Sequence, residues 1–456
     1  MYPAASDPPQ TPETGLHHYI HRRVTQRSIR ASQATTIGLG RRSRACVVSA
    51  IAALCLLGTA AAANAAVPVF TEAQGSPFPT GSGPIALTFD RAGSLLMTAN
   101  QDDGTISSFS VSYPNGQLKQ VSGSPFSVPG ATPGSSPDAI AASPDSNFIA
   151  AANGESANGP NDTVSILKVG ASGGLTPVQD SPFLTGRNPT GVAFSPTANL
   201  LAVTNFDDNT VSVFVTSPAG RLVPASGSPY SGPFYQPYAL AFSPDGKLVA
   251  VANTATNTVS ILKVAGDGSL TPVGSGAAVG DTPVSVAFNA TGTLLATTSE
   301  DDDTVSLFSV AANGSLTPVA GSPFSTGSGS GPVAAAFSPD GALLATANQD
   351  NYTVSVFSVG PDGRLTPTPG TPLTLDPIHH LQPESISFSP DGSLLATANV
   401  AELDDSGSIS VFKVSQQTLS TPPPGSRPGQ HHPCCGQRHL HHCTENHPHA
   451  QQSHDR

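Results

Sequence analysis

Residues 332–359 read P-V-A-A-A-F-S-P-D-G-A-L-L-A-T-A-N-Q-D-N-Y-T-V-S-V-F-S-V, and G-R-L-T-P follows at 363–367. P-V-A-A-A-F is a short apolar run of small residues ending in an aromatic, the pattern of a strand covered on both faces. Pro339-Asp340-Gly341 is a turn: proline presets φ, the aspartate bonds its own backbone and glycine takes a positive φ. L-L-A-T-A-N is a second strand. T-V-S-V-F is a third, rich in β-branched and aromatic residues. L-T-P-V-type segments form a fourth, and their proline belongs on a sheet edge because it lacks an N–H to donate. We call these strands a, b, c and d.

The unit occurs seven times. Its opening proline stands at Pro84, Pro137, Pro189, Pro237, Pro283, Pro332 and Pro383, with spacings of 46 to 53 residues. A period near 50 with four strands per unit predicts an all-β fold, a seven-bladed β-propeller of four-stranded antiparallel blades. The seventh copy has no strand d of its own. A matching segment, Val69 to Phe78, precedes the first strand a. The N-terminal strand is therefore expected to complete the last blade and cover an otherwise open edge. The propeller is predicted over 67–418.

The flanks differ in character. Residues 1–40 read as an unstructured extension. Arg41, Arg42 and Arg44 precede an apolar run from Ala45 to Ala63, and Ala63-Asn64-Ala65 fits a cleavage site. That order is a secretory signal peptide, assigned to 41–66. It predicts a secreted or wall-associated protein with no membrane insertion of the mature chain. Residues 419–456 form a Pro/His/Cys-rich tail expected to be disordered. The five cysteines all lie in the flanks, so the propeller has no disulfide. Between 67 and 419 there are 9 Lys+Arg and 27 Asp+Glu, a net −18. So acidic a body is a poor match for nucleic acid, whose phosphates need clustered cations. A monomer is expected.

Loops b–c and d–a emerge on one face. The b–c loops hold fourteen acids, from Asp102 and Asp103 to Asp404 and Asp405, and no Lys or Arg. A negative face serves solubility, or attracts cations or a basic partner. Its oxygen-only ligands favour calcium, although no Asp-x-Asp-x-Asp-Gly loop is present. No metal site is predicted, and calcium is the one cofactor the composition suggests. His379 and His380, the only histidines in 67–419, sit with Glu384 near the last strand a. Asp138 occupies the position of Glu384 in the second copy. Glu384, Asp138, His379 and His380 are the candidate catalytic residues. Arg187, a rare cation of the d–a side, and Tyr238, which follows the fourth opening proline, are candidate ligand-binding residues.

The 332–367 stretch resembles the bacterial lactonase-type seven-bladed propellers and the related YVTN repeat proteins, and its strands a and b are similar to WD-repeat blades. The resemblance covers about 67–415. It implies a lactone hydrolase, 6-phosphogluconolactonase-like, with its site at the central channel mouth. A P-H-x-H element common in those enzymes is absent: the residues after the seven prolines are Ile85, Asp138, Thr190, Tyr238, Val284, Val333 and Glu384. An acidic face also repels a phosphorylated lactone. The first expectation is therefore a binding module that uses its acidic loop face for an extracellular protein, glycan or small molecule. The alternative is the lactone hydrolase.

Overall fold

The computed structural model describes residues 66–418 except 132, 135, 155–161, 377, 378 and 403–405. The N-terminal extension, the signal segment up to residue 65 and the tail lie outside these residues. Seven antiparallel sheets succeed one another along the chain. Blade 6 shows the pattern: strand a is Pro332–Phe337, b is Leu343–Asn348 and c is Thr353–Val359. Adjacent blades meet through strands a, and the first contacts the seventh. The ring is therefore closed with strand a innermost. Among the described residues the only helix is a single 3₁₀ turn, Thr254–Thr256, and no helix is long and apolar enough to cross a membrane.

Strand d runs in two pieces. In blade 3, Leu222–Pro224 and Tyr230–Ser231 both pair with strand c. The break leaves a strand c N–H without a backbone acceptor, and the serine of Gly-Ser-Pro supplies one. The Val213 N–H donates to Ser228 Oγ at 2.9 Å and the Leu307 N–H to Ser322 Oγ at 2.9 Å. The repeated G-S-P is thus a plug for an interrupted edge, in keeping with the need to satisfy buried backbone donors.

Blade 7 draws on both ends of the chain. Its strands a, b and c are Leu381–Phe388, Leu394–Ala401 and Gly407–Thr418. Ala66–Glu72 lies antiparallel to the third, in register from Ala66 opposite Thr418 to Glu72 opposite Phe412. Ala66, the last residue assigned to the signal, already belongs to this strand.

The core lies between blades. One cluster joins Leu200, Ala202, Val211 and Val213 of blade 3 to Leu240, Val249, Val251 and Leu262 of blade 4. Strand b is buried along its whole length in blade 6, because neighbouring blades cover both of its faces. Each such leucine or valine contributes about 1.5–3 kcal/mol by leaving water. The asparagine that ends strand b stands at a position suited to capping the loop that follows. It is instead fully buried in blade 6 and reaches across to strand c: Asn348 Nδ2 donates to Thr353 Oγ1 at 3.0 Å and Ser355 Oγ at 2.9 Å. Blades 1 to 4 make the same contacts, so the buried amide N–H donors find hydroxyl acceptors on strand c.

Candidate active site at the channel mouth

Strand a enters each blade through an irregular step. In six blades the register shifts immediately after the opening proline, as between Pro332 and Ala334 or Pro383 and Ser385. A bulge re-aims the side chain it frees. The freed residue is the one after the proline, and in all seven blades that residue lines a central cavity of about 340 Å³. Blades 5, 6 and 1 contribute Val284, Val333 and Ile85. Blades 7, 2, 3 and 4 contribute Glu384, Asp138, Thr190 and Tyr238. Around the ring, Glu384 stands between the apolar Val333 and Ile85, and Asp138, Thr190 and Tyr238 follow one another on the other side. Among the described residues, no Lys, Arg or His lines the cavity.

A second ring comes from the residue after the strand b asparagine, which meets the strand a residue of the next blade. Gln101 of blade 1 donates through Nε2 to Asp138 Oδ1 at 2.6 Å. Gln349 of blade 6 donates to Glu384 Oε1 at 2.5 Å. Phe206 of blade 3 packs edge-on against Tyr238, with centroids 6.2 Å apart. In blade 2 this position is Gly154. A Cβ there would lie 2.5 Å from Asp138 Oδ2, so only glycine leaves room for the carboxyl, and the Gly154 backbone also bonds it.

Asp138 and Glu384 are half-buried: both touch the cavity, yet protein surrounds them. Desolvation pushes the Asp138 pKa up to about 8, against the opposing hydrogen bonds of Gln101 and Gly154. Desolvation likewise raises Glu384 to about 7, against the hydrogen bond of Gln349. Burial, then the charges of Asp138, Glu300 and Glu384, keep the Tyr238 phenol protonated far above neutrality. Near neutral pH Asp138 and Glu384 therefore both titrate, Tyr238 remains a phenol, and the Glu300 carboxyl also lines the wall. Carboxyls raised into the neutral range are suited to acid–base chemistry.

The sequence-derived candidates divide. Asp138, Tyr238 and Glu384 come together in the cavity. The histidines do not join them. His379 Nδ1 lies 2.7 Å from Asp376 on the surface. His380 lies 3.1 Å from Glu402 and stacks on Tyr352 at 5.0 Å. Proximity in sequence misleads here because the strand turns inward only after Pro383. Arg187 also stands apart, exposed and paired with Asp208 at 2.7 Å. Gln101, Gln349 and Glu300 line or support the cavity and were not singled out. Their signal was the position just after the strand b asparagine, which reads as loop.

The acidic loop face also changes meaning. Asp303 accepts three backbone N–H groups from Gly329, Ser330 and Gly331 at 2.6–2.9 Å. Asp103 accepts from the Ser82 N–H and Asp302 from the Asp281 N–H. Many b–c acids are thus clasps for the d–a loops. Glu155, Asp404 and Asp405 lie outside the described residues. Among the described residues, no group of three His, Cys, Asp or Glu is arranged to hold a metal ion.

A model of the lactonase seven-bladed β-propeller family matches residues 61–233 and 231–330, more than half of the chain. The chain belongs to the lactonase family of seven-bladed β-propellers. No curated protein matches it. Similar solved structures include a periplasmic gluconolactonase of Pseudomonas aeruginosa, 20% identical, TM-score 0.53, covering 68% of this chain and 96% of that one. A candidate 6-phosphogluconolactonase of Bacteroides fragilis is 18% identical, TM-score 0.55, covering 70% and 97%. At these identities the likeness to this lactonase-family propeller is one of fold.

Proposed function

We propose that this propeller is an exported hydrolase of small, uncharged lactones, with Glu384 as general base. The observation that carries the reading is the pair of carboxyls with neutral-range pKa values in one cation-free cavity. The Glu384 carboxylate takes a proton from water as the hydroxide forms a bond to the lactone carbonyl carbon. The resulting oxyanion accepts hydrogen bonds from the neutral Asp138 carboxyl and the Tyr238 hydroxyl. Collapse breaks the ring C–O bond, and the proton on Glu384 passes to the departing ring oxygen. The product hydroxy acid ionises, and the acidic mouth favours its release.

A phosphorylated lactone finds no cation on the cavity wall, which supports a neutral substrate over a sugar phosphate. Export through the signal segment supports the same choice. A binding role through the acidic loops has less support, because those acids already hold loop backbone. The test is hydrolysis of neutral and phosphorylated lactones across pH. We expect kcat/KM for the neutral lactone to rise as Glu384 ionises near 7 and fall as Asp138 loses its proton near 8. Faster turnover of the phosphorylated substrate, or none of either, overturns the proposal.

A further inference from the structure

We infer that Gln349 and Gln101 are positioning residues, each an amide clamp matched to the one mouth carboxyl on the following blade. The inference rests on the hydrolase reading for its catalytic meaning, and on the repeat for its evidence. At the position after the strand b asparagine (Ser299 in blade 5), the seven blades carry Gln101, Gly154, Phe206, Thr254, Glu300, Gln349 and Val400. Glutamine occurs only in blades 1 and 6. Blades 2 and 7, which follow them, are the only blades with an acid after the opening proline. Each glutamine meets its acid across the blade boundary, at 2.6 and 2.5 Å. Where the next blade offers Tyr238, the position carries Phe206, which packs on it. Within one chain, the two rings vary together.

The clamps are themselves fixed. The Gln349 N–H donates to Gly331 O at 3.0 Å and the Gln101 N–H to Gly83 O at 2.8 Å. These bonds tie the backbone of each glutamine to the d–a loop of its own blade. Gln349 is buried, so its side chain has little freedom to swing away. An amide N–H stabilises the ionised carboxyl and fixes the direction of its oxygens. For Glu384 the amide engages Oε1 and leaves proton transfer to Oε2. For Asp138 the amide engages Oδ1, and the Gly154 backbone bonds the same carboxyl, so its plane is held from two sides. A carboxyl on a flexible stem would spend less time aligned with water or with the lactone oxygen.

The test uses the full exported chain with Gln349→Met and Gln101→Met, which keep side-chain length and remove the donor. Carboxyl titrations are followed by the infrared C=O bands, assigned through their loss in E384Q and D138N. Gln349→Met is expected to raise the proton affinity of Glu384 about tenfold and leave Asp138 unmoved; Gln101→Met does the reverse. The acid limb of the hydrolysis profile moves to higher pH in the first variant, with kcat falling more than KM rises. Titrations that stay where they are in folded variants overturn the clamp, whatever the activity. If no lactone is hydrolysed yet the two titrations respond selectively, the clamp stands and the hydrolase reading falls. Should Gln349→Met not fold, Gln349→Asn, which withdraws the amide by one methylene, is read in the same way.

Discussion

Two populations of carboxyls live on this propeller, and they titrate in opposite directions. At the channel mouth, Asp138 and Glu384 are driven upward because desolvation outweighs the few donors they meet. In the a–b turns, hydroxyls and backbone N–H groups surround Asp245 and Asp391. Ser389 donates to Asp391 Oδ1 at 2.6 Å and the Ser393 N–H does so at 3.0 Å. Desolvation there is outweighed and the Asp391 pKa falls, as does that of Asp245 under the Ser243 hydroxyl. The residue type is the same. Donor supply and depth decide whether the charge is stabilised, as a turn needs, or withheld, as an acid–base site needs.

The comparison can be broken most sharply at the base. E384Q removes the titrating group, and kcat/KM for a neutral lactone should fall about 10²–10⁴-fold. A smaller loss would place the chemistry elsewhere. D138N probes the same population through stability. Because the folded pKa of Asp138 is raised to about 8, the wild type loses stability as pH rises from about 4 towards 8, where the unfolded chain ionises and the folded one does not. Asparagine cannot ionise. D138N should therefore match the wild type near pH 4 and exceed it by about 1–2 kcal/mol at pH 8. A constant difference in thermal melts across that range would contradict the desolvation argument.

The turn population should respond with the opposite sign. Asp391 has a depressed folded pKa, so its contribution is present above the unfolded value and is lost as pH falls through the folded one. D391N should cost about 1 kcal/mol at pH 7, and the deficit should shrink as acid protonates the wild type. Denaturant melts at pH 3 and 7 measure it, and activity at neutral pH should be unaffected. The smallest effect belongs to the rim. R187A removes an exposed ion pair with Asp208 and should cost under about 1 kcal/mol, less in high salt.

Much of the site was readable in one position of the repeat. The residue after each opening proline is the place where a bulge frees a side chain, so Asp138, Tyr238 and Glu384 could be picked out by counting copies. His379 and His380 were close to Glu384 in sequence and gave the wrong expectation, because Asp376 and Glu402 hold them at the surface. Gln101 and Gln349 were invisible for the complementary reason. Each lies some 35 residues from its carboxyl and meets it only across a blade boundary.

The repeat itself determined the architecture. Seven copies of a four-strand unit, each with both faces apolar, can bury those faces only by stacking on one another, and an unpaired strand at either end asks to be joined. Those are local requirements, written in periodicity and turn chemistry. The state of the mouth depends instead on how deeply the closed ring sinks each carboxyl and on which neighbour's amide reaches it. Depth and cross-blade contact are properties of the assembled circle, so only the tertiary structure decided which acids keep their protons.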